Sequence, residues 1–322
     1  MGAVLLPSLS VFAQEMIRLK EDTFLIENRN FNVVSVVDAR PDASRVGFLH
    51  VGDANRERVA LMEGGLTEST KAFLHQSLVE LPNAYPILLR ITRFGIGEEG
   101  RPIDRTNYLV ADFEFYLASD SGSYQIFTQH HWIQYNGRAA NQHEYYIRVA
   151  LRKSLRDLAA SNWKDRLKEL PRWSSEAVTQ TALPPILLTD AYAKGIYRTF
   201  DEYRNNQPSP VQISWTEKPN GIVKLYYMSE KGKWSQAKSG DNFWGFSDGT
   251  RTFIKQNAHY TELRKNRKGV YFSGVNRAKV QRNAAKGGVL GGLVGGVVAA
   301  SFTNRTGVYV LDLETGASVY VR

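Results

Sequence analysis

Tyr108-Leu109-Val110-Ala111-Asp112-Phe113-Glu114-Phe115-Tyr116-Leu117 is the stretch that decides how the first half of this chain folds. Leu109, Ala111, Phe113, Phe115 and Leu117 alternate with Tyr108, Val110, Asp112, Glu114 and Tyr116, the period of two of a strand with one buried face. Asp120-Ser121-Gly122-Ser123 supplies a turn, so residues 124–135 read as the returning arm of a hairpin. Upstream, residues 32–39 (NVVSVVDA) read as a buried strand stopped by Arg40-Pro41-Asp42, and residues 46–51 as a second. Leu66, Phe73, Leu74 and Leu78 give residues 66–78 helical spacing with Thr67 as the expected N-cap, and Pro86 opens a strand over 87–94.

Residues 142–163 predict a long helix, with Ile147, Leu151, Leu155 and Leu158 on the buried side and Arg148, Arg152 and Arg156 on a solvated one. The order β-β-α-β-β-β-α predicts an α+β domain over 14–172, an antiparallel sheet with two helices on one face. In element order this half resembles small periplasmic auxiliary proteins of bacterial envelope systems, a likeness of fold that implies no function.

Residues 173–189, pattern-poor and holding Pro184-Pro185, read as a linker. Short strand-like pieces follow at 211–216, 222–228, 243–246, 252–255 and 269–272, with turns at Pro219-Asn220-Gly221 and Ser247-Asp248-Gly249. They predict a β-rich meander domain over 190–322, closed by a hairpin around Glu314-Thr315-Gly316 and interrupted by a Gly-rich, helix-like segment. Gly195-Ile196-Tyr197-Arg198-Thr199-Phe200-Asp201-Glu202-Tyr203 and Trp244-Gly245-Phe246-Ser247-Asp248-Gly249 carry a specific resemblance. They look like a group of uncharacterised secreted proteins of Bacteroidota that share G-x-Y-x-T-F-x-E-F/Y, a W/Y-G-F/Y-S/C-D-G turn and a later Gly/Ala-rich stretch. The resemblance implies an envelope or secreted setting and supplies no activity.

The opening residues point the same way. Residues 2–13 are uncharged, and Val11 and Ala13 occupy the −3 and −1 positions of a small-residue cleavage site, so 1–13 reads as a signal peptide although no Lys or Arg precedes it. Export to the periplasm or an outer-membrane setting is therefore expected. The absence of cysteine excludes disulfides, thiolate zinc sites, thiol nucleophiles, iron–sulfur clusters and a lipid-anchored cysteine. Charge is uneven: residues 184–322 hold 20 Lys and Arg against 10 Asp and Glu, which leaves 21 against 22 before them. A basic second half favours anionic partners, and export, which places it away from the genome, disfavours nucleic acid among them.

Motif matches fail on context. Gly95-Ile96-Gly97-Glu98-Glu99-Gly100 fits G-x-G-x-x-G, but Pro102 and a strand follow where a dinucleotide site needs a helix, and Glu98 and Glu99 repel phosphate. Gly245-Phe246-Ser247-Asp248-Gly249 fits the nucleophile elbow, yet a strand follows the serine and the nearby His259 lies in the same meander. His50, His75, His130, His131, His143 and His259 show no metal-ligand spacing, and Asp112 with Glu114 reads as the polar side of a strand. No catalytic, cofactor or metal residue is assigned, so the chain is read as a non-enzyme.

Residues 287–302, GGVLGGLVGGVVAASF, carry no charge. Gly287, Gly291 and Gly295 are four apart, as are Gly288, Gly292 and Gly296, which on a helix makes a small-residue strip where another backbone can approach. Arg264, Lys265, Arg267, Lys268, Arg277, Lys279, Arg282 and Lys286 precede it with no acidic residue between, a flank suited to anionic headgroups. A sixteen-residue helix spans only about 24 Å, short of the ~30 Å bilayer core, and six glycines cost about 1 kcal/mol each in water. A helix packed on its own domain, or a Gly-rich connection, is the competing account. The leading expectation is an envelope-associated interaction protein that meets a partner protein, an anionic membrane or a second copy. The alternative is a soluble periplasmic module for a glycan or small ligand, using Trp215, Trp234 and Trp244 as stacking surfaces.

Overall fold

A computed structural model describes residues 14–51, 56–99, 106–119, 122–136, 141–218, 223–256, 259–266, 269–275 and 306–320. The expected leader at 1–13, the glycine segment at 287–302, and Arg267, Lys268, Arg277, Lys279, Arg282 and Lys286 lie outside these residues. The chain forms two compact units, Met1–Glu98 with Asn107–Gln180, and Glu99–Thr106 with Thr181–Arg322. The architecture is sheet-rich with few helices, a mostly-β α+β fold.

The first unit comprises β1 (Gln14–Ile17), β2 (Phe31–Asp38), β3 (Gly47–Val51), β4 (Arg56–Met62), α1 (Leu66–Ser77), β5 (Tyr85–Glu99), β6 (Thr106–Ser119), β7 (Gly122–Asn136), α2 (Asn141–Ala160), β8 (Arg172–Trp173) and α3 (Ser175–Thr179). Its eight strands run β1-β4-β3-β5-β6-β7-β8, with β2 also on β5. The expected antiparallel sheet is mixed: β1 with β4, β2 with β5, and Gly47 of β3 with Ile96 of β5 pair parallel. Parallel neighbours need a crossover, and the β3–β4–α1 segment provides the one from β2 to β5.

α1 and α2 contribute Leu66, Phe73, Leu74, Ile147, Leu151, Leu155 and Leu158 to one core with Ile87, Leu89, Leu109, Phe113 and Phe115. Thr67 is not the cap of α1; Gly65 occupies that position with no side-chain bond to the helix end. β6 departs from the single buried face, because Tyr108, Val110 and Tyr116 are buried as well. The second face is covered locally: Tyr108 lies flat against Trp132 at 5.8 Å, and Tyr116 meets Trp173 edge-on at 5.9 Å. The arginine side of α2 is not simply solvated either. Arg148 bonds Asp22 and Glu144, and Arg152 bonds Asp22 while lying over the Phe24 ring.

The second unit comprises α4 (Pro185–Leu188), β9 (Gly195–Tyr197), α5 (Phe200–Arg204), β10 (Ile213–Glu217), β11 (Val223–Met228), β12 (Trp234–Gln236), β13 (Gly245–Ser247), β14 (Thr252–Gln256), β15 (His259–Asn266), β16 (Gly269–Val275), β17 (Thr306–Leu311) and β18 (Ser318–Tyr320). The main path is β18-β17-β16-β15-β14-β13-β9, while β10, β11 and β12 form a small antiparallel sheet joined to β15 at Val223–Tyr260. Alternation along the strands gives each face its own core. Tyr197, Trp244, Ile254, Leu263, Phe272 and Tyr309 pack with Ile186, Phe200 and Tyr203 of the short helices. Ile196, Phe246, Phe253 and Tyr260 pack instead with Ile213, Val223 and Leu225 of the small sheet.

The expected linker at 173–189 carries structure of its own. β8 pairs with β7, Trp173 abuts Tyr116, and Val178 is buried, whereas Ile186 is fully enclosed in the second unit. Prolines and small polar residues mask these anchors in the sequence. β16 and β17 pair residue for residue as far as Val275–Thr306, so residues 276–305 connect two adjacent strand ends. Among the described residues no helix is long and apolar enough to cross a membrane.

Candidate functional site

The densest set of chemistry-bearing groups lies inside the first unit, where β3, β5, β7 and α2 converge. Glu98, at the end of β5, is buried. Its Oε2 accepts the backbone N–H of His50 at 2.7 Å, with His50 Nδ1 at 3.6 Å. Its Oε1 lies 3.2 Å from His143 Nε2, and His143 Nδ1 lies 2.5 Å from the Tyr135 hydroxyl. A carboxylate can only accept, so His143 carries a proton on Nε2, and in that tautomer Nδ1 accepts from the Tyr135 hydroxyl. Burial, Glu98 and Tyr146 push the Tyr135 phenol above its ordinary range, which keeps it a donor. The result is a continuous chain, Tyr135 O–H to His143 to Glu98, with the His50 amide on the far oxygen.

Such a chain can relay a proton or simply satisfy a buried carboxylate. Its members come from four elements and share no sequence spacing, so the reading of the histidines by spacing alone could not find it. Glu98, which the sequence marked only as a carboxylate spoiling a phosphate loop, is the centre of the set. Among the described residues no group of three or more His, Asp or Glu is placed to hold a metal.

Several other polar residues of this unit have partners within the fold. Glu114 receives Arg90 at 2.6 Å and the Tyr116 hydroxyl at 2.9 Å, while Arg90 also donates to the Gln180 carbonyl. Asp112 pairs with His130 at 3.0 Å. Asp112 and Glu114 therefore have separate partners on their shared face. His131, buried on β7, contacts Ser154 Oγ at 2.6 Å; because that hydroxyl donates to the Ala150 carbonyl, the imidazole is the donor. Burial, reinforced by Lys153, lowers His131 to about 4. Gly95 and Gly97 lie within β5, not in a loop opening a helix. A Cβ at Gly97 would sit 2.3 Å from the Tyr108 ring, so this glycine serves cross-strand packing.

In the second unit the residues that carried the resemblance build the fold. Gly195 lies so close to the Ser209 carbonyl that a Cβ would approach it to 2.4 Å. Thr199 caps α5 by accepting the Glu202 N–H at 3.1 Å, and the Glu202 carboxylate reaches back to the Arg198 N–H at 2.5 Å, a close variant of the capping box. Phe200 and Tyr203 pack on Trp244, the latter stacked at 4.7 Å. Gly245 leaves room for the Phe253 carbonyl, which a Cβ would meet at 2.2 Å, and Gly249 turns with φ 100°. Ser247 is fully buried and its Oγ accepts the Gly249 N–H. Ser247 pairs with Thr252 at the start of β14 and His259 with Gln256 at its end, so the two are roughly 13 Å apart along the strand at ~3.3 Å per residue. The nucleophile-elbow pattern is thus a hairpin turn.

Residues 195–322 match a family of unknown function, DUF6563. The match opens at the glycine that admits the Ser209 carbonyl and takes in the capped helix, the hairpin turn and both closing strands. No curated protein and no solved structure matches the chain.

Two of the eight basic candidates fall among the described residues of the matched segment. Arg264 is exposed, 4.0 Å from Glu262. Lys265 is engaged internally: its ammonium donates to the Ile186 and Thr189 carbonyls and lies 5.2 Å over the Tyr192 ring. The three tryptophans offered as stacking surfaces also separate. Trp244 is 2% exposed and Trp215 packs against Phe253 with the Arg251 guanidinium over both rings, whereas Trp234 is 52% exposed on β12.

Proposed function

We propose that this protein is a non-catalytic interaction protein of a bacterial cell envelope. Residues 1–13 act as its secretion signal, and residues 287–302 bring it to an anionic membrane surface or to a second copy. The observation that carries the reading is the closed pairing of β16 with β17 up to Val275–Thr306. The register of the DUF6563 sheet is set by strand pairs on the near side of that point. Arg277, Lys279, Arg282 and Lys286 and the paired glycine registers, Gly287/Gly291/Gly295 and Gly288/Gly292/Gly296, therefore lie in sequence between strand ends already joined, whereas Arg264, Lys265, Arg267 and Lys268 precede β16. The signature residues support it too, since Thr199, Glu202, Trp244 and Gly245 have folding roles.

Flotation with vesicles containing phosphatidylglycerol, and sedimentation equilibrium, test the contact. Wild-type protein is expected to float or to self-associate, and the Gly291→Leu/Gly292→Leu variant to lose that behaviour, because leucines block close backbone approach. A monomer that ignores vesicles in both forms refutes it. N-terminal sequencing of protein from the native cell tests export: Gln14 is the expected first residue, and cytosolic protein retaining Met1 opposes the envelope setting.

A further inference from the structure

The small sheet of β10, β11 and β12 has one face in the core and one in solvent. Ile213, Val223 and Leu225 point inward. On the outer face Tyr226 stands between Ser214 and Gln236, Met228 opposes Trp234, and Lys224 opposes Thr216. A solvent-facing strand surface needs only polar residues, yet this one carries a half-exposed tyrosine and a tryptophan 52% exposed. The neighbouring rings on the inner side are engaged: Trp215 with Phe253, and Tyr227 with Phe243. Tyr226 and Trp234 make no ring contact among the described residues. They lie diagonally across β11 and β12, a separation of about 7–8 Å; an amide and a hydroxyl flank Tyr226, and the Met228 thioether opposes Trp234.

We propose that this outer face binds an acidic glycan. A sugar ring offers an apolar C–H face that stacks on an aromatic ring and hydroxyls around its rim that need donors and acceptors. Trp234 and Tyr226 supply the first requirement, and Gln236 and Ser214 the second. With Met228 as its one aliphatic side chain among Ser214, Thr216, Lys224 and Gln236, the face is too polar for a lipid surface or for the dry centre of a protein interface. Charge selects the acidic class: the face contains Lys224 and no carboxylate, and Lys231 and Lys233 are exposed in the adjoining β11–β12 turn against Glu230 alone. Single-stranded nucleic acid also uses rings and cations, but its backbone is tracked by a continuous basic groove, and this face holds one lysine. The inference extends the proposed function and does not depend on the behaviour of residues 287–302.

Full-length protein titrated with polygalacturonate, alginate and heparin, with neutral dextran and with a single-stranded oligonucleotide, tests it through tryptophan fluorescence and affinity electrophoresis. At least one anionic polysaccharide is expected to bind, and dextran to bind more weakly. Trp234→Ala is expected to weaken binding roughly tenfold, the loss of one stacked ring, and Lys224→Gln to weaken the anionic polymers selectively. An unchanged thermal midpoint confirms that each variant is folded. Failure of all three polysaccharides, undiminished binding by folded Trp234→Ala, or dextran bound as tightly as the acidic polymers overturns the proposal. An oligonucleotide bound more tightly than any polysaccharide, and lost in the same variant, assigns the face to nucleic acid instead. Vesicle flotation can fail while glycan binding persists, and the reverse, so the two readings fail separately.

Discussion

Mild acid should destabilise the first unit through His131. The ring is 6% exposed, lies edge-on to Phe113 and donates to Ser154. Burial first, and Lys153 second, hold its pKa at about 4 against 6.5 for the free side chain. The folded state thus prefers the neutral ring. Above the unfolded value both states are neutral and the full stability is present. As pH falls from 6.5 toward 4 the unfolded chain takes up a proton that the folded chain refuses, and stability is lost. At ~1.4 kcal/mol per unit the total is about 3 kcal/mol, of which about 2 kcal/mol is gone by about pH 5. His131→Gln keeps a donor for Ser154 and removes the titration. Urea denaturation near neutrality and near pH 5, with amide hydrogen exchange in β7 and α2 to isolate the unit, compares the two proteins. Other titrating groups contribute equally to both, so wild type should lose about 2 kcal/mol more than the variant. Equal losses would refute the assignment of His131 as a buried neutral donor.

Glu98→Gln should cost about 2–4 kcal/mol, because one amide group cannot accept from both the His50 N–H and His143 Nε2; a thermal midpoint unchanged from wild type would contradict the relay geometry. Gly245→Ala places a Cβ 2.2 Å from the Phe253 carbonyl, and should destabilise the second unit by at least about 1–3 kcal/mol, measured as loss of exchange protection in β13 and β14. Thr199→Ala removes the cap of α5 at about 1 kcal/mol, while Thr199→Ser should restore most of it in the same denaturation assay.

What the sequence disclosed, and what it hid, follows from the range of the interactions involved. Period-two alternation located β6 because Leu109, Ala111, Phe113 and Phe115 all face one core. It could not disclose that Tyr108 and Tyr116 are buried too, since Trp132 and Trp173 cover them from distant positions. The strands of the second unit were visible from β-branched and aromatic runs at 252–255 and 269–272. β15 was not: HYTELRKN is mostly charged and polar, and only Tyr260 and Leu263, three apart, are buried. Parallel pairing of β2 with β5 is a tertiary choice with no local mark. The glycine motifs were recognisable and misleading, since Gly97 and Gly245 answer to a ring and a carbonyl across the sheet. The relay at Glu98 joins residues 45 and 48 positions apart, beyond any spacing rule. The platform at Tyr226 and Trp234 required the register to show which side each ring takes.

The pairing of Val275 with Thr306 also has an evolutionary and practical consequence. Opposed residues in an antiparallel ladder are only about 5 Å apart, a gap that a two-residue turn can bridge. Whatever joins them can be lengthened, shortened or exchanged without resetting any other pair in the ladder. This position is a natural grafting point, where a lineage can trade one appendage for another, or an experimenter insert a label, over an unaltered scaffold.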